Sequence, residues 1–222
     1  AFSAYSKDMR KKPLQKRSRV MVDALVEATA LTIAERGLAD TTTNQVATRA
    51  GVSVGSLYQY FSNKEALLDA VMERFEAELI SAIGTAMDAH LDDDLHALLE
   101  SALTAVFDLF ESRRGLNLEL ARGWYHERTM QSAHAVETFL KEKLHLYLLR
   151  HHGAWKFQNL PAVLYVAFNS AIFTGIRYFS DPPAYLNRRD VIEQITAMIV
   201  GYLTQAGQPA AQKKPPGKAS SR

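Results

Sequence analysis

Side chains that can hydrogen-bond to the bases and phosphates of nucleic acid are grouped in one stretch of the sequence, Thr42 to Lys64. Between residues 54 and 61, a helical period of about 100° per residue places apolar residues on one side and small or hydrogen-bonding residues on the other. Glutamine and serine can pair with base edges, and tyrosine with phosphate. The stretch therefore predicts a helix face that can enter the major groove of DNA. That face contains no acid and consists of Gly55, Ser56, Gln59 and Tyr60.

Capping residues predict the short helices that would position this face. Thr42 and Gln45 have the spacing of a capping box, and Gly51 can end the first helix in the left-handed conformation. Ser53 can cap the second helix, and the segment from Ser62 to Glu65 fits a further capping box that opens the next helix. Two short helices joined by a glycine-containing turn predict a helix-turn-helix.

The spacing of these residues also carries a family resemblance. The run from Ala47 to Leu67, A-x-x-A-G-V-S-x-G-x-L-Y-x-Y-F-x-x-K-E-x-L, resembles the DNA-binding signature of the TetR (tetracycline-repressor-like) family of bacterial transcription regulators. The resemblance covers about the first third of the chain and says little in detail about the rest. It implies that this part of the chain binds DNA.

The resemblance also implies roles for single residues. Phosphate binding falls to Thr43 and Ser56, and base-facing positions fall to Asn44, Gly55 and Gln59. Tyr58, Tyr60 and Lys64 occupy the positions that contact the DNA backbone. With these, the predicted DNA-binding set is Thr42, Thr43, Asn44, Gly55, Ser56, Tyr58, Gln59, Tyr60 and Lys64.

The charge distribution agrees with a DNA-binding head. Residues 1–64 hold ten Lys/Arg and five Asp/Glu, whereas residues 65–206 hold 12 Lys/Arg and 19 Asp/Glu. A basic head on an acidic body is expected where only the head meets a polyanion, although two solvated charge patterns without a function remain an alternative. We predict a flexible basic arm over 1–17, a helix-turn-helix domain over 18–64, a ligand-binding and dimerisation domain over 65–206 and a disordered basic tail over 207–222.

Helical periodicity and the absence of any strand pattern predict an all-α fold, with a three-helix head and a helical body, about nine helices in total. The chain has no cysteine, which is compatible with a reducing bacterial cytoplasm. The longest apolar run, 162–176, is interrupted by polar residues and is shorter than a membrane span, so we expect none. No catalytic motif is present and the seven histidines are scattered, so we expect no enzyme activity, no cofactor and no metal site.

The helical body is predicted to bind a second copy of the chain and a small molecule. The last two helices carry apolar residues over wide arcs, which predicts a homodimer through a four-helix bundle. The resemblance implies the same arrangement, and it implies an effector pocket in the body. Aromatic residues in the body favour an apolar or aromatic ligand, although ordinary core packing explains each of them as well. The predicted ligand-binding residues are Phe107, Phe110, Trp124, Tyr125, His126, Phe139, Tyr165, Phe168, Asn169 and Arg177.

The function expected from these features is a ligand-responsive transcriptional regulator. It would be a repressor that binds a palindromic operator in double-stranded DNA as a homodimer and is released by its effector. The alternative is a helical small-molecule or protein-binding module whose head no longer controls a promoter.

Overall fold

Helices account for nearly all of the structure, a computed structural model that describes residues 16–122, 127–152 and 155–209. The predicted all-α fold is confirmed, with nine helices within those ranges. In chain order they are α1 (Lys16–Asp40), α2 (Thr43–Arg49), α3 (Val54–Tyr60), α4 (Lys64–Ala89), α5 (Leu95–Ser112), α6 (Arg114–Arg122), α7 (Glu127–His152), α8 (Leu160–Ser180) and α9 (Arg188–Ala206).

The head consists of α1, α2, α3 and the start of α4. Its small core is formed by side chains with almost no exposed surface, among them Leu25, Ile33, Val46, Leu57 and Phe61. α1 begins at Lys16, inside the predicted basic arm, while residues 1–15 lie outside the described ranges. At Gly37, φ is +82°, so the regular part of α1 ends at this glycine.

The caps that separate the short helices were predicted with one error. Thr42 and Gln45 form the predicted capping box, and both of its hydrogen bonds are present. The N-cap of α4 is Asn63, whose Oδ1 accepts from the Ala66 N–H at 2.8 Å, so the prediction that Ser62 caps this helix was wrong. Phe61 is fully buried in an extended conformation that ends α3, and Ser62 and Asn63 separate it from the first residue of α4.

The body is formed by α4 to α9 around one apolar core. Its helices begin at side-chain caps: Asp94 caps α5, Asn159 caps α8 and Asn187 caps α9. Asp94 is the last of three consecutive aspartates, and its side chain accepts from the Ala97 N–H at 2.8 Å. α4 extends from the head into the body, so it belongs to both cores.

A short pair of strands was not predicted. Residues of β1 (Trp155–Phe157) pair antiparallel with those of β2 (Gly207–Pro209). β2 starts at the first residue of the predicted disordered tail, so the tail prediction was wrong for 207–209, while 210–222 lie outside the described ranges. The pair ties the end of α9 to the connection between α7 and α8.

One helix differs from the expectation that no membrane span exists. Within the described ranges, α8 alone is long and apolar enough to cross a membrane, by length and composition only. Two of the polar side chains that interrupt its apolar run bond within the helix: Asn169 Nδ2 donates to the Tyr165 carbonyl at 2.8 Å, and Thr174 Oγ1 to the Ser170 carbonyl at 2.7 Å. The same composition occurs in core helices of soluble proteins.

Candidate nucleic-acid interface and effector cavity

The turn between α2 and α3 is fixed by the backbone of a glycine. Gly51 has φ +69°, and its N–H donates to the Thr48 carbonyl while the Val52 N–H donates to the Ala47 carbonyl at 3.0 Å. These two bonds form a Schellman motif, which satisfies the carbonyls at the end of α2. The motif sets the angle at which α3 leaves α2.

α3 presents the face that the sequence predicts for DNA contact. Ser53 caps the helix by accepting from the Ser56 N–H at 3.1 Å, and its hydroxyl also lies 2.8 Å from that of Ser56. Leu57 is completely buried, whereas Gln59 is exposed. α3 therefore packs by one side. The opposite side carries no acidic residue and is exposed, so a molecule as large as double-stranded DNA can reach it.

Gly55 lies on this exposed side, in the first turn of α3, and nothing among the residues that the structure describes requires a glycine there. Its φ is not positive, and a Cβ added to it would meet only the Ser53 hydroxyl, at the ordinary contact distance of 3.8 Å. A residue without a side chain at this position permits a close approach by another molecule.

Two predicted DNA-binding residues from different helices are in contact. The hydroxyl of Thr43, at the start of α2, lies 3.2 Å from the hydroxyl of Tyr58 on α3. The structure therefore brings predicted phosphate-binding and backbone-gripping groups to one surface, beside exposed Thr42 and Asn44.

The remaining two residues of the predicted set lie at the junction of α3 and α4. Tyr60 is half-buried and packs against the core. Lys64 Nζ donates to the carbonyl of Ala39 at 3.1 Å. Lys64 thus ties the start of α4 to the end of α1, a role that the sequence did not indicate.

A cavity of about 170 Å³ lies in the body between α4, α5, α7, α8 and α9. Three predicted ligand-binding residues line it: Phe107, Phe110 and Phe168. The sequence did not predict that α4 lines the cavity with Leu79, Ile83 and Met87, nor that α7 contributes an ion pair, Glu137 and Lys141. These two groups are spaced i, i+4 on α7, which is the signal that could have revealed them.

The other predicted ligand-binding residues do not line this cavity. Phe139 lies instead over α4, with its ring 3.1 Å from where a Cβ on Gly84 would be. Tyr165 and Arg177 are exposed on α8, and half-buried Asn169 bonds within that helix. Trp124, Tyr125 and His126 lie outside the described residues.

α6 connects the body to the head. Gly115 packs so close to α1 that a Cβ added to it would lie 3.0 Å from the carbonyl oxygen of Ala34. Further along α6, Glu119 Oε2 accepts from the backbone N–H of Leu38 at 3.4 Å, just beyond Gly37. α6 therefore supports the end of α1.

An ion-pair network crosses the same junction. The Glu27 carboxylate of α1 lies 2.9 Å from Arg74 of α4 and 3.3 Å from Arg113, and Arg74 also bonds Glu78 at 3.1 Å. Partial burial lowers the pKa of the Arg74 guanidinium, but the hydrogen bond to Glu78 and the attraction of Glu27 outweigh it and raise that pKa above its ordinary value. The network holds α1 and α4 together at the boundary of head and body.

Among the residues that the structure describes, no three His, Asp or Glu side chains come together as a metal-binding group. Glu27 of the junction pairs across helices with Arg74, whereas the charged pair that lines the cavity, Glu137 and Lys141, lies within α7. What the described residues do form is a protein surface for a large polar partner and a partly open apolar cavity for a small one.

The comparison with known proteins points to the head. Residues 25–71 match the family model for bacterial regulatory proteins of the tetR family. The HTH-type transcriptional regulator BetI 2 of Chromohalobacter salexigens is 36% identical over 84 residues, which are 38% of this chain and 41% of that protein. The HTH-type transcriptional repressor KstR2 of Rhodococcus jostii is 32% identical over 88 residues, 40% of this chain and 42% of that one. The chain thus matches less than half the length of these curated relatives.

Solved structures resemble the whole fold. A tetR-family transcriptional regulator from Streptomyces coelicolor aligns with a TM-score of 0.69 at 17% identity, over 85% of this chain and 82% of that one. The fatty acid degradation regulator FadR of Bacillus halodurans aligns with a TM-score of 0.64 at 16% identity, over 86% and 97%. At these identities the likeness shows the fold alone.

Proposed function

We propose that this chain, which belongs to the TetR family of bacterial regulatory proteins, represses transcription by binding a palindromic operator as a homodimer and releases it when a small apolar effector binds. The observation that carries the proposal is the exposed, acid-free face of α3, held by the capped turn from α2. The same face disfavours the alternative of a helical small-molecule or protein-binding module whose head no longer controls a promoter. A bacterial cytoplasmic location goes with this function.

The proposed DNA contacts divide into base readout and phosphate binding. Exposed Asn44 and Gln59 are placed to reach base edges, and Gly55 allows the backbone of α3 to approach the groove. Thr43, Ser56 and Tyr58 supply hydroxyls to phosphates, and Lys64, whose Nζ also donates to the Ala39 carbonyl, supplies a positive charge to them. Phosphate contacts set the register and affinity, whereas base contacts set the sequence preference.

The proposed dimer forms through α8 and α9. Both helices expose large apolar side chains in the single chain, a pattern that marks a surface normally covered by a partner. A two-fold arrangement of these two helices would cover them in a four-helix bundle and would place two copies of α3 for two half-sites. The exposed residues are Tyr165, Val166, Phe173, Met198 and Tyr202.

The effector is proposed to act through α4. Leu79, Ile83 and Met87 of this helix line the cavity, and the same helix begins at Lys64, next to α3. A ligand that fits one position of α4 better than another changes the separation of the two copies of α3. It shifts the equilibrium only by its difference in affinity for the two states.

A gel-shift experiment with the DNA upstream of the protein's own gene tests the proposal. Binding at low salt that weakens as salt rises is expected. Gln59→Ala should change the preferred sequence, whereas Lys64→Ala should weaken binding to all sequences alike and reduce the salt slope by about 1. Absence of binding to any palindromic DNA at low salt would refute the proposed repressor function. Identical behaviour of the two variants would refute the assignment of Gln59 to base readout and Lys64 to phosphate binding.

A further inference from the structure

The effector cavity contains one pair of charged side chains. Every other residue that lines it, among those the structure describes, is apolar or glycine. Glu137 and Lys141 are four residues apart on α7, and Glu137 Oε1 lies 2.6 Å from Lys141 Nζ. The cavity is thus an apolar chamber with a single, internally neutralised ion pair.

The exposure of the two side chains places the pair at the edge of the cavity. Glu137 keeps 17% of its side-chain surface exposed and Lys141 keeps 37%. The carboxylate of Glu137 is therefore the more enclosed of the two. It is already paired with the Lys141 ammonium group, to which an acidic ligand would have to bind. A positive charge that is already paired offers little to a second anion.

We propose that the effector is an uncharged, mostly hydrocarbon molecule, and that Glu137 is the residue that excludes carboxylates of the same size. This inference rests on the proposed function, since it concerns the ligand of the same cavity. A neutral molecule fills the apolar space and leaves the ion pair intact. A carboxylate inside the apolar space would be a buried, unpaired charge, which is strongly disfavoured. A carboxylate at the edge would have to displace Glu137 from Lys141 or lie beside a second carboxylate.

This is specificity by repulsion: the pocket rejects one class of ligand by an unfavourable charge rather than by shape. The cavity volume is about 170 Å³. Decanol, a neutral and flexible hydrocarbon chain with one hydroxyl, is a suitable probe of the ligand class, and decanoate is its charged counterpart.

Isothermal titration calorimetry of the full chain with decanol and with decanoate tests the inference. We expect decanol to bind the wild type at least roughly tenfold more tightly than decanoate. In Glu137→Gln, decanoate binding should tighten by roughly tenfold while decanol binding changes by less than about threefold, because Lys141 becomes available. The matched control is Glu142→Gln, which removes the same charge from an exposed position of α7 that does not line the cavity and should leave both affinities as in the wild type.

The double variant Glu137→Gln, Lys141→Gln separates charge from folding. It should bind decanol and lose the gain for decanoate, and circular dichroism checks that all variants are helical. Equal binding of decanol and decanoate to the wild type, no binding of decanol, or a Glu137→Gln variant that still rejects decanoate would overturn the inference.

A gel shift in the presence of decanol reports on the proposed function separately: if decanol binds with the expected selectivity and DNA is not released, the regulatory function fails and the ligand class stands.

Discussion

Gly115 on α6 lies against Ala34 on α1 so closely that a Cβ added to the glycine would stand 3.0 Å from the alanine carbonyl oxygen. The contact is with backbone, which cannot turn aside as a side chain can. It joins a helix of the body to the long helix of the head. A movement of α6 therefore displaces α1, and with it the helix-turn-helix that packs on α1.

Gly115→Ala should weaken this junction. Overpacking of a close contact costs about 1–3 kcal/mol, while alanine in a helix gains up to about 1 kcal/mol over glycine. We expect a net loss of stability of about 1 kcal/mol, seen as a lower Tm in thermal denaturation. Gly84→Ala is the comparison, because its new Cβ would meet only the ring of Phe139, which can shift, and it should lose less. A variant at Gly115 as stable as the wild type would show that α6 is not in close contact with α1.

Gly51 and Gly55 should respond in opposite ways to alanine. Gly51 has φ +69° and nothing within 4 Å of its Cβ position, so Gly51→Ala should lose about 1–2 kcal/mol of stability from backbone strain alone. Gly55→Ala has no such strain and should retain or slightly gain stability, yet lose affinity for DNA because the methyl group keeps α3 from its closest approach. Chemical denaturation and gel shift measure the two effects. A Gly55→Ala protein with wild-type DNA affinity would refute close approach at that position.

Local sequence signals predicted the head almost completely, since capping and turn formation depend on neighbouring residues. The Thr42–Gln45 box and the left-handed Gly51 are examples. The cap of α4 was misplaced because Ser62 and Asn63 are both good capping residues. The burial of Phe61, a tertiary contact, decides between them.

The body was predicted less well because its details depend on which face of each helix turns inward. On α8, Phe168 lines the cavity, whereas Tyr165 and Arg177 do not, although all three lie on the same helix. The strand pair between 155–157 and 207–209 joins two three-residue segments that are too short for a periodic pattern and distant in sequence. Neither feature has a local signal.

Phe173→Glu should dissociate the proposed dimer. Phe173 exposes 52% of its surface on α8, and a carboxylate there would be buried against the partner. Leu149→Glu is the matched control, because Leu149 on α7 is similarly exposed, at 56%, and lies outside the proposed interface. Sedimentation velocity should show a monomer for the first variant and a dimer for the second. The α8–α9 interface is wrong if Phe173→Glu remains a dimer.

Tyr147 should contribute stability that is lost at high pH. Its buried hydroxyl donates to the Asp93 carbonyl at 2.8 Å, and burial, together with the nearby Asp94 and Asp93 carboxylates, raises the pKa of this phenol above 10.0. Because the folded pKa is raised, the contribution is fully present below the unfolded pKa and is lost as the pH rises through the folded one.

Tyr147→Phe tests this dependence by removing the hydroxyl. Loss of the hydrogen bond should cost about 1 kcal/mol at neutral pH, and the difference in Tm between wild type and variant should shrink above pH 10. A difference that stays constant across that range would contradict the account of Tyr147.

Selection of DNA sequences from a random duplex pool by the full-length protein tests the central claim most directly. The account predicts enrichment of an inverted repeat whose half-sites are centred about 34–36 Å apart, one helical turn, or a multiple of it. Gln59→Ala should enrich a different repeat with the same spacing. Enrichment of a single unrepeated element, or no enrichment at low salt, would contradict a dimer that reads DNA through α3.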